Sequence, residues 1–425
     1  MQVREIRDLS PADRSALFDR SAGIDEVRGD VREIIARVRE EGDVAVREYT
    51  EEFDDVQVGT LDVTGETVRA YDRIDDDLRT AIDEAAENVR QFHEAQLPDD
   101  WRRDFGMGRE LGRRFLPIDR VGVYVPGGSA AYPSSAIMGV VPATVAGVEE
   151  VAVATPPEPH DATLAAVYAA GADAVYQVGG AQAVAALAYG TETVDRVRKI
   201  AGPGGRYVSA AKAEMQGDVD IDFVAGPSEI LVVADGTADP DLVAADVVAQ
   251  AEHDLHAAVA AVTADDDAAE AIADAIADRV AGRDREETVR AALDNEASGV
   301  FLARSDSEAV LFANEYAPEH LSIRTENPEA LLPRIENAGS VFLGPYTPVA
   351  AGDYAAGPNH VLPTGGRART SGGLSVDTFL RGTTVQRISE EALDDLSTTI
   401  VELAEAEGLA AHAESVRART EDREQ

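Results

Sequence analysis

VGVYVPGGSAAYPSS, residues 121–135, decides how the rest of the chain is read. The run from Val121 to Val125 is apolar and too short for a helix, and Pro126-Gly127-Gly128 stops it in a turn. The design recurs. EEVAVATPP (149–157), DAVYQVGG (173–180) and EILVVADG (229–236) are short apolar runs that each close in a turn. Alanine-rich segments of helical character separate them, such as DATLAAVYAAG (161–171) and AQAVAALAYG (181–190). Strands alternating with helices predict βαβ units and a mostly parallel sheet. A second series follows, with a helix over 239–254, a strand over 257–263, a long helix near 265–294, and strands near 299–303 and 339–343. The expected fold class is therefore α/β with two parallel-sheet units.

The flanks have a different texture. Residues 1–115 read as charged and helical, with apolar residues at helical spacing in GIDEVRGDVREIIARVREEGD (23–43) and no cluster of chemical groups, so this region is expected to be scaffold. Residues 344–375, GPYTPVAAGDYAAGPNHVLPTGGRARTSGGLS, hold seven glycines and four prolines, and a connection this long inside a compact protein is usually functional. Beyond it come a short strand, TTVQRIS (383–389), and two helices near 389–407 and 409–420, which read as a small separate domain.

At 425 residues the chain is long enough for about two to four domains. Its 44% hydrophobic content excludes wholesale disorder. Acidic residues outnumber basic ones 80 to 38, a net charge of −42, which argues against nucleic-acid binding because such a surface repels phosphate backbones. Only Lys199 and Lys212 are lysines. An acid excess with almost no lysine is the balance expected in a high-salt cytoplasm, where counterions screen self-repulsion. Cysteine is absent, which excludes disulfides, thiolate nucleophiles and Cys-based zinc or iron–sulfur sites. No apolar stretch reaches the ~18 residues of a membrane span and the N-terminus lacks an apolar signal core, so a soluble, cytoplasmic protein without membrane partners is expected.

Seven histidines carry most of the chemical signal. His93, on a polar helix, and His160, in a proline-rich turn, read as solvated surface residues. In QAEHDLH (250–256), Gln250 and His253 are i, i+3 and share a helical face, which suits two donors to one metal ion and equally suits a histidine stabilised at a helix C-terminus. His256 falls at the next strand boundary and is the weaker ligand candidate. APEHL (317–321) sets Glu319 beside His320. On a turn the two can address one site as acid and base, although they also fit an ordinary loop. Asp353 and His360 lie in the glycine-rich loop, where carboxylate and imidazole suit a zinc or substrate site. Glu407 and His412 belong to EGLAAH (407–412). A GxGxxG fingerprint is absent: AGPGGRY (201–207) comes near it but has Tyr207 in the last glycine's place, and GGAQA (179–183) offers another strand-to-helix turn with open N–H groups.

Together with KIAGPG (199–204), IDFVAGPSE (221–229) and GPYTPVAAGDYAAGPNHVLPT (344–364), these motifs closely resemble the histidinol dehydrogenase family, in its order, across residues 121–412. The resemblance implies oxidation of L-histidinol through L-histidinal to L-histidine with two NAD+, the last step of histidine biosynthesis. It implies two incomplete Rossmann-like parallel-sheet domains: an arm over 1–17, a discontinuous first α/β domain over 18–120 and 231–372, a second over 121–230, and a small C-terminal domain over 373–425 involved in dimerisation. It also implies one zinc ion per subunit, held by Gln250, His253, Asp353 and, across a homodimer with shared active sites, the partner subunit's His412. Substrate contacts match Ser228, Gln250, His253, Glu319, His320, Asp353, His360, Glu407 and His412. NAD contacts match Tyr124 and Gln182. Where the family has an Asn in GPGN, this chain has Gly205, so one side-chain amide toward NAD is missing.

The residue types fit a four-electron oxidation. His320 suits the base that takes the hydroxyl proton, Glu319 suits activation of the water that adds to the aldehyde, and zinc suits a template for the substrate's imidazole and amine. A relative oxidising another small alcohol, such as a sulfonated diol, is the neighbouring reading. A zinc hydrolase and a non-catalytic scaffold are more distant ones.

Overall fold

The computed structural model describes residues 1–18, 20, 23–128 and 130–420. Contacts divide them into two units, one of Met1–Gln96 with Ile118–Phe379, the other of Leu97–Pro117 with the described residues from Leu380 on.

The first unit holds two parallel sheets. The strands anticipated from the 121–135 stretch form a five-stranded sheet in the order Ala174–Gln177, Glu150–Thr155, Arg120–Tyr124, Lys199–Ala201, Asp220–Ile221. The second series, joined by Glu229–Ala234, which the sequence pattern groups with the first, and by the unanticipated Val3–Glu5 and His320–Arg324, forms a six-stranded sheet in the order Val3–Glu5, Gly299–Leu302, Ala258–Thr263, Glu229–Ala234, His320–Arg324, Ser340–Leu343, so residues at the start of the chain form an edge strand. Glu229–Ala234 and Ala258–Thr263 are buried at every position, as expected of parallel strands covered on both faces. Leu231, wholly buried among Phe301, Leu321 and Tyr316, stands for this core, and truncating such a leucine to alanine costs about 2–5 kcal/mol.

Helix Arg28–Glu41 shows why the N-terminal scaffold folds as it does. Val31, Ile34, Ile35 and Val38 recur at helical spacing on one buried stripe, the stripe packs on helices Gly180–Tyr189 and Arg206–Met215, and Gly42 ends the helix. The expected long helix near 265–294 is two, Asp266–Val280 and Glu286–Leu293, broken at Ala281-Gly282 where Gly282 turns with φ +79°. The 344–375 loop is not wholly irregular either, since Val349–Tyr354 is a short helix.

The second unit corrects the all-helical reading of residues 1–115. Trp101–Asp104 and Arg109–Pro117 form an antiparallel hairpin, and the strand anticipated at 383–389 is a nine-residue one, Leu380–Ile388, that pairs along the whole of Arg109–Pro117. Adjacent arginines, Arg102-Arg103 and Arg113-Arg114, break the alternation that would have marked the hairpin's strands. Helices Glu390–Ala406 and Ala410–Thr420 complete the unit. Among the described residues, no helix is long and apolar enough to cross a membrane.

Candidate active site

In the six-stranded sheet the strand order reverses between Glu229–Ala234 and His320–Arg324, which are hydrogen-bonded neighbours. The residues that open these strands therefore meet at the sheet's amino edge. Glu229 N–H donates to Glu319 Oε2 at 2.8 Å, and Glu319 N–H donates back to Glu229 Oε2 at 3.3 Å. His320 Nδ1 lies 3.1 Å from the Glu229 carbonyl oxygen. A carbonyl only accepts, so Nδ1 carries a proton and Nε2 is the nitrogen left for chemistry. That Nε2 is buried, makes no hydrogen bond and faces Asp353 Oδ1 at 3.5 Å. Glu319 and His320 are adjacent in sequence yet address one place, because Glu319 precedes the strand and escapes its alternation: Oε2 is 3.5 Å from His320 Nδ1.

Electrostatics reinforces the pair. Burial raises Glu319 to about 7, against the pull of His320. Burial acts to lower His320, but Glu319 and Asp353 outweigh it and push the imidazole up to about 9. Asp353 stays below its ordinary value despite burial, because the neighbouring His320 imidazole opposes its charge.

The glycine-rich loop supplies Asp353 from its short helix and then turns back, with His360 Nδ1 2.7 Å from the Asp353 carbonyl oxygen and Nε2 3.4 Å from Ser135 Oγ. Asn359 fastens this return, donating to the Met138 carbonyl at 2.7 Å on helix Pro133–Val145. Gln250, in the last turn of helix Pro240–Ala251, is buried with no hydrogen bond at Nε2. His253 follows on the turn beyond, exposed, and Asp353 and His320 are close enough to act on its charge. Ser228 immediately precedes strand Glu229–Ala234 and is half-buried.

Among the described residues, no group of three or more His, Asp or Glu side chains gathers as a metal cage. The first unit does offer His253, Asp353 and the unbonded Gln250 amide around one edge, a donor set that fits part of a metal site and not a closed one.

The five-stranded sheet reverses its order between Arg120–Tyr124 and Lys199–Ala201, and the residues that the resemblance assigned to NAD lie at its opposite, carboxyl edge. Tyr124 is buried, and its hydroxyl oxygen accepts from Gly180 N–H at 3.1 Å. Burial pushes that phenol up to about 12. Gln182, in the first turn of helix Gly180–Tyr189, is buried with no hydrogen bond at Oε1. Gly205 caps helix Arg206–Met215 and is exposed, with open space where a side chain would begin.

Glu407 and His412 lie in the second unit. Glu407 ends helix Glu390–Ala406, His412 is in the first turn of Ala410–Thr420, and both are exposed. His160 and His256 are exposed, but His93 is not the surface residue its polar helix suggested. It continues the stripe Ile82, Ala85, Ala86, Val89, is wholly buried, and sets Nδ1 2.7 Å from the Val89 carbonyl oxygen.

Sequence reasoning missed Arg20 and Glu229. Arg20 clasps the Glu229 carboxylate at 2.7 and 3.0 Å, and Gly365 N–H donates to it at 2.7 Å, so the residue that orders Glu319 is itself neutralised and held. The available signal was a glutamate opening an otherwise apolar strand, where an unpaired charge would be costly.

Comparison with known proteins bears on this geometry. A family model described as histidinol dehydrogenase matches residues 19–420. The chain is 67% identical to the histidinol dehydrogenase of Haloarcula marismortui, over 99% of this chain and 100% of the relative. It is 50% identical to that of Methanopyrus kandleri, over 93% and 94% of the two chains. The crystal structure of histidinol dehydrogenase from Elizabethkingia anophelis superposes with a TM-score of 0.94 at 34% identity, covering 100% of this chain and 99% of that one. The sulfonated-diol, hydrolase and scaffold readings find no support among these likenesses.

Proposed function

This chain belongs to the histidinol dehydrogenase family, and from that premise we propose that its two sheet edges divide one reaction, the NAD+-dependent oxidation of L-histidinol through L-histidinal to L-histidine. The observation that carries the reading is the buried Glu319–His320–Asp353 cluster at the amino edge of the six-stranded sheet. With Nδ1 committed to the Glu229 carbonyl, a neutral His320 presents only Nε2 to a substrate hydroxyl, and it takes that proton as the first hydride leaves. The aldehyde carbon then needs an added water oxygen. Glu319, raised to about 7 by burial, removes a proton from that water in its ionised form, and His320, after releasing its first proton to solvent, accepts the next one before the second hydride departs from the same carbon. Ser228, His360 and Glu407 are assigned to the polar ends of the substrate. Tyr124, Gln182 and the backbone at Gly205 are assigned to NAD+.

Gln250, His253, Asp353 and the partner subunit's His412 would hold zinc, which when bound supplies a template for the substrate's imidazole and amine. The unbonded Gln250 amide and the open donor set support this, as does the exposure of His412. Glu319 and Asp353 carry the charges that raise His320, so the neutral imidazole that acts as a base is favoured as pH rises. A homodimer follows from the shared ligand set. We read the net charge of −42 as adaptation to a saline cytoplasm.

The test is one assay with histidinol, NAD+ and Zn2+ or Mn2+ in molar salt, following NADH and histidine together. About two NADH per histidine are expected. Histidine without NADH, or NADH with an aldehyde end product, would defeat the reading.

A further inference from the structure

Lys212 and Asp222 form an ion pair with side chains 2% and 1% exposed, in a chain with only two lysines. It lies in the five-stranded half, away from the acid–base cluster, and burying two charges usually stabilises a fold no better than an apolar pair of the same volume. What the pair does is visible in its bonds. Lys212 Nζ donates to the Gly202 carbonyl at 2.9 Å, and Gly202 N–H donates to Asp222 Oδ2 at 2.9 Å. Asp222 Oδ1 accepts from Phe223 N–H at 2.6 Å and takes the Lys212 ammonium. One ion pair thus satisfies both backbone polar groups of a single residue.

That residue is at the critical place. Gly202 follows strand Lys199–Ala201 where the sheet order reverses, beside the end of Arg120–Tyr124. Its φ is +105°, and a Cβ there would stand 2.2 Å from the Tyr124 carbonyl oxygen. From Gly202 the chain runs through Pro203, Gly204 and Gly205 into helix Arg206–Met215, which carries Lys212 on its buried side, so the pair closes the turn from both ends.

We infer that Lys212 and Asp222 are positioning residues for the dinucleotide: they fix the Gly202–Gly205 turn against Tyr124, and so set the backbone N–H groups that receive the cofactor's pyrophosphate at the start of helix Arg206–Met215. The inference rests on the NAD+ reading proposed above.

The experiment uses the zinc-loaded enzyme in molar salt with NADH as the binding probe, titrated by fluorescence. The double variant Lys212→Met/Asp222→Leu removes both clamps without leaving a lone buried charge. Its NADH dissociation constant and its KM for NAD+ are expected to rise about tenfold or more, because a displacement near 1 Å at a binding backbone can cost ~10²-fold. KM for histidinol and zinc content are expected to stay within about twofold of the parent, since neither depends on this turn. Unchanged NADH affinity, or a fall in kcat with both KM values intact, overturns the inference. Should the double variant not fold, Asp222→Asn decides: it keeps an acceptor for Gly202 but drops the charge, and an NADH dissociation constant raised about threefold supports the clamp while the parent value refutes it. If the parent protein itself neither binds NADH nor forms it from histidinol, the cofactor reading has failed, a result distinct from any variant's.

Discussion

The two parallel sheets of the first unit carry their candidate functional residues at opposite ends. Both reverse their strand order once, and both place candidate functional residues at the reversal. In the five-stranded sheet these residues follow the strands, at the carboxyl edge, where glycine turns lead into helix N-termini and the side chains carry little charge. In the six-stranded sheet they sit where the strands begin: Ser228 and Glu319 precede a strand and His320 opens one, at the amino edge. On the reading proposed above, the common rule that ligands bind beyond the carboxyl ends of an open α/β sheet holds for the first and fails for the second. The difference follows from what each edge must do. A dinucleotide is gripped by backbone N–H groups, which the carboxyl edge supplies. Proton transfer needs carboxylate and imidazole held in a poorly solvated place, which the amino edge supplies through Glu229, Arg20 and the returning loop.

This division can be broken most sharply at Glu319 and His320. Glu319→Gln keeps shape but removes the basic carboxylate, and a loss of ~10²–10⁴-fold is expected on histidinal oxidation, with a smaller one on histidinol oxidation. His320→Asn is expected to damage both. Single-turnover NADH formation started from each substrate separates the steps, and equal slowing of both by Glu319→Gln would erase the distinction between the two residues. Next in size is the metal. Asp353→Ala is expected to lose zinc on dialysis while NADH affinity is kept, because the ligand belongs to one edge and the cofactor to the other. Metal analysis and NADH titration of one preparation check both halves of that statement.

His93 provides a control that touches neither edge. Burial lowers its pKa, chiefly by desolvation. Its unfolded-state pKa of about 6.5 then lies above the folded one, so the unfolded chain binds the extra proton, and stability is full above about pH 6.5 and falls below it by up to ~1.4 kcal/mol per pH unit. His93→Leu is expected to flatten that slope in chemical unfolding between pH 5 and 7, and an unaltered slope would show the imidazole to be indifferent to protonation. The smallest effect is expected at Gly205→Asn. The space for the new side chain is open, and Asn is a good helix N-cap, so a gain of a few tenths of a kcal/mol in stability and about a twofold lower KM for NAD+ are expected, while a raised KM would mean that bare backbone is required there.

How much of this was legible in the sequence depended on periodicity. The parallel strands announced themselves because burial on both faces makes them uniformly apolar, and the turns after them carry glycine. The second unit's hairpin did not, because WRRD and RELGRRFLP are dominated by charge and the strand that completes their sheet lies far along the chain. His93 was misread for a related reason: a helix-wide polar impression hides the single stripe that faces inward. The candidate site's residue types were visible from the motifs. The pairing of Arg20 with Glu229 was not, since it joins positions far apart in sequence and its one local hint was a glutamate opening an apolar strand.

The second unit's sheet also sets an order of events on the ribosome. Its central strand, Arg109–Pro117, is made early, but Leu380–Ile388, which covers one whole side of it, emerges only after the intervening chain. At ~5–20 residues per second that interval is roughly 13–50 s. Throughout it the nascent hairpin presents an open edge, the kind of surface on which unfinished chains join one another. Arg109, Glu110, Arg113 and Arg114 make that edge a poor template for a stray strand, so the same charges that hide the hairpin from a reader of the sequence also hide it from other nascent chains until its own partner arrives.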